Sequence, residues 1–347
     1  MWNVKRRPSN VPNFIILRTK VILNLRMLSD KNHLNYQDNV MNGRPPFFSV
    51  VVFFGVIILC YMLLLMVMSG YEAMAGMDYA ETLDSLDESS DQATRNFIRT
   101  NALLYQLFAF LIPGVIFSVF LYKSNWARFL CIDKIPNLLN VAVGIVLIFA
   151  AFPLVQFFYW INLQIPLPEG LINLEDQTAD LVKNILFVEK PYELWLNLLV
   201  IALIPALGEE FIFRGILQKK LIQKLENPHV GIWIVAIIFS AVHMQFQGFL
   251  SRMFLGGVLG YMYYWTGNLW VPIVAHFFNN AFQIIGQYMF QKEIIELNLE
   301  DTPVEPNWLL TIGSIVVIGV LSTLLIRKNP QKSIAGGSQE FDSGSLG

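Results

Sequence analysis

Three short stretches carry side chains that could do chemistry. Gly208-Glu209-Glu210-Phe211-Ile212-Phe213-Arg214-Gly215 sets two carboxylates and a guanidinium inside an otherwise apolar run. Phe239-Ser-Ala-Val-His243 and His276-Phe-Phe-Asn-Asn280 follow, each inside a further apolar run. A charged side chain at mid-bilayer costs about 2.5–3.5 kcal/mol on insertion scales, so three within six residues call for a function. Glu210 and Arg214, spaced i, i+4, share a helical face and can pair. Glu209 lies about 100° round the helix from Glu210 and has no partner on its own helix. His276 and Asn280 share a face by the same spacing and can address one point. A carboxylate, two imidazoles and an amide together supply a general base, its partner and oxyanion donors, the parts needed to activate water. The plain structural reading, an ion pair that fixes helix packing, accounts for Glu210 and Arg214 but leaves Glu209 unexplained.

The elements that must position them are membrane helices. The chain has 347 residues, 55% apolar and 14% charged, with a mean hydropathy of +0.51. A soluble domain is nearer one quarter charged. Runs of the roughly 20 apolar residues needed to cross a bilayer recur along the chain. They predict spans over 47–68, 102–122, 139–163, 194–217, 229–244, 249–265, 269–290 and 308–326. The fold class expected is an all-α membrane protein, a polytopic bundle of about eight transmembrane helices. Its domains read as a basic N-terminal tail (1–46), a helical domain (47–326, core 194–290) and a flexible Gly/Ser-rich C-terminal tail (327–347).

The connections alternate in charge. Lys5, Arg6, Arg7, Arg18, Lys20 and Arg26 precede the first span; Asp78, Glu81, Asp84, Asp87, Glu88 and Asp91 follow it. Lys123, Arg128 and Lys134 give way to Glu169, Glu175, Asp176 and Asp180, then to Lys219, Lys220 and Lys224, then to Glu293, Glu296, Glu300, Asp301 and Glu305. Arg327, Lys328 and Lys332 close the series. The positive-inside rule then makes both termini cytoplasmic in a multi-pass protein of the cell membrane. Cys60 and Cys131 are too few for a disulfide framework and read as reduced. Basic residues interrupt the leading segment and no cleavage pattern follows, so it is not read as a secretory signal; Met41 is an alternative start.

The three motifs, Glu-Glu-x-x-x-Arg, Phe-x-x-x-His and His-x-x-x-Asn, occur in an order that resembles the CPBP family of intramembrane proteases. These are type II CAAX prenyl endopeptidases and bacterial relatives linked to bacteriocin processing or self-immunity. The resemblance covers about 194–290. It implies a conical polar cavity formed by the fourth, fifth and seventh spans, with Glu209 as catalytic carboxylate and His243 as its partner in activating water. It also implies that Glu210 holds Arg214, and that His276 and Asn280 stabilise the oxyanion. The family is often called metalloprotease, and Glu209, His243 and His276 could ligate zinc with an open position. With no His-Glu-x-x-His helix, the metal-free reading is favoured and no cofactor is expected.

The depths of these residues do not agree at once. Glu209 and His276 lie about seven or eight residues from the cytoplasmic ends of their spans. His243 lies about fourteen from the start of its own, deeper by about 9 Å at 1.5 Å per residue. A fifth span that starts deep or tilts, with the polar Gln245-Phe-Gln247-Gly248 turn in a water-lined cavity, would bring it level.

The leading expectation is an intramembrane endopeptidase whose cavity opens to the cytoplasm and whose partners are membrane-associated peptides or proteins, CAAX-type prenylated ones included, and the bilayer. The alternatives are a non-proteolytic scaffold or self-immunity protein on the same fold, and a proton-coupled transporter. The transporter reading predicts repeated halves with broken helices, and no internal repeat is visible. Nucleic acid is not an expected partner, because a juxtamembrane basic run reads as topology and anionic-lipid contact.

Overall fold

A computed structural model describes residues 47–87, 89–296 and 305–329, which all fall in one unit of the chain, 44–334. The expected basic tail, most of the C-terminal tail and part of the acidic connection after the seventh span lie outside the described residues. No strand occurs among the described residues. Five helical segments are long and apolar enough to cross a membrane: Phe48–Ala75, Gln92–Leu130, Leu138–Leu163, Pro191–Leu225 and Trp308–Lys328. The protein is therefore an all-α, multi-pass membrane protein. The expected fifth, sixth and seventh spans are present as helices, but they do not meet the same length and hydropathy together.

In chain order the helices are α1 (Phe48–Ala75), α2 (Tyr79–Asp84), α3 (Gln92–Gln106), α4 (Ile112–Tyr122), α5 (Trp126–Leu130) and α6 (Leu138–Leu163). There follow α7 (Glu169–Leu186), α8 (Pro191–Asn197), α9 (Ile204–Glu209), α10 (Lys219–Leu225), α11 (Pro228–Ala241), α12 (Phe249–Thr266), α13 (Trp270–Gln291) and α14 (Trp308–Lys328). α1 turns Val50, Val51, Phe54, Ile58, Leu59 and Met62 outward, the apolar surface a lipid-facing helix presents. Polar side chains tie the bundle together: Asn140 on α6 and Asn329 after α14 exchange amide hydrogen bonds (3.0 and 3.3 Å), and Ser314 Oγ donates to the Ala150 carbonyl (2.6 Å). At the head of α3, Asp91 accepts from the Thr94 N–H, which holds its carboxyl below the usual range.

Two features of the helical segments were not legible in the hydropathy pattern. α3 runs into α4, and α8 into α9, through π-helical turns at Leu107–Leu111 and Leu198–Leu203. Each turn stands just before a proline, Pro113 and Pro205. A proline inside a helix removes an N–H and crowds the preceding turn, and the wider i→i+5 turn relieves that crowding. The two irregular segments also pack together. A Cβ at Gly208 would lie 2.9 Å from the Leu111 backbone nitrogen and 2.9 Å from Phe110 Cβ, so only glycine allows this approach.

The second feature is α7. The stretch between the third and fourth expected spans, read as an acidic connection, folds into an 18-residue amphipathic helix. It carries Glu175, buried against the α11–α12 turn.

Candidate active site

The helix that begins with α8 does not end at Leu217 as expected; it continues to Leu225. Within it Glu210–Gln218 is π-helical, with no proline to cause it; such turns are frequent at functional sites. This longer rod resolves the depth conflict. Glu209 lies 16 residues before Leu225, and His243 lies 15 after Pro228, so two antiparallel segments joined at 226–227 bring them to similar heights. α13 starts level with Gly215, where a Cβ would meet Leu269 at 3.3 Å, so His276 is level as well.

Glu210 and Arg214 form the expected pair, Nη1 to Oε1 at 2.7 Å, with both side chains at 0% exposure. Arg214 also donates through Nη2 to the Gly256 carbonyl (3.1 Å), and its guanidinium lies 4.5 Å from the centre of the Phe239 ring. The carbonyl and the ring face supply the partial negative charge that a buried guanidinium needs.

Glu210 does more than hold Arg214. The same Oε1 lies 2.9 Å from His276 Nδ1. With Nδ1–H donated to Glu210, the other imidazole nitrogen of His276 is left as an acceptor. That nitrogen, Nε2, lies 3.9 Å from Glu209 Oε2. His276 therefore stands beside Glu209, in addition to the His243 partnership that the resemblance implied. The approach arises because α13 packs directly on the irregular helix, a contact that spacing along one chain segment cannot show.

His243 departs from expectation in its position. It is not inside a span but in the turn that follows α11, two residues beyond Ala241. Its Nδ1 lies 2.7 Å from the Phe239 carbonyl oxygen, which it caps, so its Nε2 is the free acceptor. The Phe239 ring packs edge-on against both histidines, 5.0 Å from the His243 ring and 6.0 Å from the His276 ring. Asn280 accepts from Asn279 Nδ2 (3.1 Å) and sits one turn beyond His276 on the same face.

The turn that carries His243 is fastened by side chains that sequence reasoning passed over. Glu175 accepts from the backbone N–H groups of Phe246 and Gln247, the latter at 2.9 Å. Asn162 donates to the Phe246 carbonyl (2.8 Å) and accepts from the Leu250 N–H (2.9 Å). Arg252 bonds both the side chain (3.0 Å) and the carbonyl of Gln245. In this turn the backbone groups of Gln245, Phe246, Gln247 and Leu250 find protein partners. The available signal was three lone polar residues at helix ends and on an acidic connection, which nothing in the sequence assigns to one another.

Among the described residues no group of three or more histidine, cysteine, aspartate or glutamate side chains could hold an ion. Glu209 and His276 approach as a pair, and the Nδ1 atoms of His276 and His243 are engaged with Glu210 and Phe239, which leaves Nε2 on each ring.

The family described as "Type II CAAX prenyl endopeptidase Rce1-like" matches residues 191–282, which hold all three motifs. The segment is similar to "Uncharacterized protein YpbD" of Bacillus subtilis, 37% identical over 26% of this chain and 43% of that protein. It is similar to "Putative membrane peptidase YdiL" of Bacillus subtilis, 33% identical over 26% of this chain and 37% of that one. It is also similar to "Membrane-embedded CAAX protease MroQ" of Staphylococcus aureus, 28% identical over 26% of this chain and 38% of that one. The chain thus matches less than half the length of each of these relatives. No solved structure matches.

Proposed function

We propose, starting from a chain whose residues 191–282 share the Rce1-like pattern, that this protein is an intramembrane endopeptidase acting on membrane-associated polypeptides. The observation that carries the reading is the ordered series Arg214–Glu210–His276 ending 3.9 Å from Glu209. His276 Nε2 and the Glu209 carboxylate are both acceptors, and the gap between them is too long for a direct hydrogen bond. Two acceptors at that distance suit a water that donates a proton to each, the arrangement that raises its nucleophilicity.

In the reaction that follows, the water oxygen attacks the scissile carbonyl carbon as Glu209 takes its proton. A C–O bond forms and the carbonyl π bond opens to an oxyanion. The tetrahedral species collapses with loss of the amine, which leaves with the proton Glu209 had taken; the net change is peptide plus water to acid plus amine. Asn280 is the group proposed to donate to the oxyanion, and His243 Nε2, an acceptor, is proposed to take a hydrogen bond from the hydroxyl that the water brings to the tetrahedral centre. Arg214 keeps Glu210 charged, and Glu210 fixes the His276 tautomer. Hydrolysis proceeds without metal in this reading, and the catalytic groups are reached from the cytoplasm, the side carrying Lys219, Lys220 and Lys224.

What supports a peptidase over other uses of buried acids is the similarity of this segment to proteins named as membrane peptidases. The test is cleavage of a membrane-protein substrate library by the purified chain beside its Glu209→Gln variant. Products that appear with the parent and vanish with the variant support the reading; identical product sets overturn it.

A further inference from the structure

α13 carries more than His276 and Asn280. Gln283, Gln287 and Gln291 continue the series at spacings of three, four and four. At 100° per residue these five side chains lie within one narrow stripe along the helix. α13 turns Phe278, Phe282 and Ile285 outward on the opposite side, where lipid is met. Gln283 is exposed as well, yet it sits on the stripe between buried His276 and buried Gln287. A polar side chain exposed on the inner face of a bundle helix opens onto a cleft, not onto lipid.

Two observations say what the cleft takes. Gln291, at the far end, grips an extended piece of the protein's own chain: its Oε1 accepts from the Val188 N–H (2.9 Å) and its Nε2 donates to the Val188 carbonyl (2.8 Å). That is the pair of bonds one strand residue offers another. One turn earlier, Gln287 is 8% exposed and its carbonyl oxygen has no hydrogen-bond partner. It lines a cavity of about 530 Å³ bounded also by Lys183, Phe187, Phe290, Gln291 and Ile295 and by the acidic residues Glu293 and Glu296. An unmet buried acceptor beside open space is a place for a donor from elsewhere.

We infer that the amide stripe of α13 is a substrate track, in which Gln283 and Gln287 hold the backbone of an extended polypeptide by its N–H and C=O groups, as Gln291 holds Val188. This rests on the peptidase reading and sharpens it. The ligand is an unwound chain whose backbone polar groups would be unpaired in lipid, and its side chains are read little. Eleven residues separate His276 from Gln287, about 16 Å along the helix. About five extended residues cover that distance, so the track grips substrate on one side of the scissile bond. A helical substrate has no free backbone groups to offer and is excluded until it unwinds.

The test is photo-crosslinking to the full-length chain carrying Glu209→Gln, so that the probe stays intact. The probe is an acetylated, amidated Leu/Ala/Gly decapeptide with one photoactivatable leucine, beside the same peptide N-methylated at alternate residues. Crosslinks are expected within 283–291 and at Phe187, falling about tenfold on adding Gln287→Leu and about tenfold with the N-methylated probe, as loss of two hydrogen bonds implies. Gln287→Leu is expected to melt at or above the parent temperature, because it removes an unpaired buried acceptor. Crosslinks elsewhere, no crosslinks, or yields indifferent to N-methylation overturn the track; so does a lowered melting temperature for Gln287→Leu, which would make Gln287 structural. Cleavage by the unmodified chain is scored separately: cleavage without these crosslinks sinks the track alone, and crosslinks without cleavage sink the peptidase reading alone.

Discussion

His276 Nδ1 and Glu210 Oε1 lie 2.9 Å apart, although 66 residues separate them in sequence. That one oxygen also accepts from Arg214 at 2.7 Å, so the ion pair and the histidine beside Glu209 form a single unit. Structural and chemical roles therefore meet at Glu210, and substitutions can separate them.

Glu210→Gln leaves Arg214 buried without its counter-charge, which costs about 3–5 kcal/mol. Thermal melts in detergent should show a clear fall, and addition of Arg214→Met should recover most of it. Activity should not return with stability, because a glutamine at 210 can offer His276 its NH2 as readily as its oxygen and no longer sets the tautomer. Recovery of cleavage in the double variant would mean that Glu210 serves Arg214 alone.

Glu209 has no hydrogen-bond partner comparable to that of Glu210, so Glu209→Gln should abolish cleavage with a melting temperature at or above the parent. An unfolded Glu209→Gln beside a stable but inactive Glu210→Gln would reverse the two assignments.

His243 caps Phe239 and leaves Nε2 free. His243→Ala should lower kcat by about 10²–10⁴-fold, the range for loss of a positioned acid–base group, with little change in melting. A loss confined to KM would make it a substrate contact instead.

The turn bearing His243 depends on Glu175 from α7. Glu175→Ala strands two N–H groups that a charged acceptor had held, at about 1.5–3 kcal/mol each. Hydrogen exchange should rise at Phe246 and Gln247 while α12 stays protected beyond its first turn. Unchanged exchange at those two amides would show that the clasp does not hold the turn.

For topology and metal the expectations are direct. Ser85→Cys should label with an impermeant thiol reagent in intact cells and Lys224→Cys only after permeabilisation; the opposite pattern inverts the protein. Purified protein should contain no stoichiometric zinc and should cleave equally after chelation, and one tightly bound zinc lost with His243→Ala would replace the metal-free mechanism.

The membrane class and its helices, the Glu210–Arg214 pair and the identity of the three motifs followed from the chain alone. Hydropathy runs and i, i+4 spacing are local properties, and the charge of the connections belongs to short segments. α7 escaped because its alternation of acids with Leu, Ile and Val reads equally as a polar connection. The π-helical turns escaped because hydropathy does not record how far a helix has unwound. Which histidine stands beside Glu209 was decided only by packing: α13 meets the irregular Glu210–Gln218 segment through a glycine contact and a shared carboxylate oxygen. The clasp on the His243 turn belongs to the same class, since Asn162, Glu175 and Arg252 come from three helices with no common period. Side chains far apart in sequence meet where close-packed helices cross, and spacing along one helix carries no information about the neighbour it crosses.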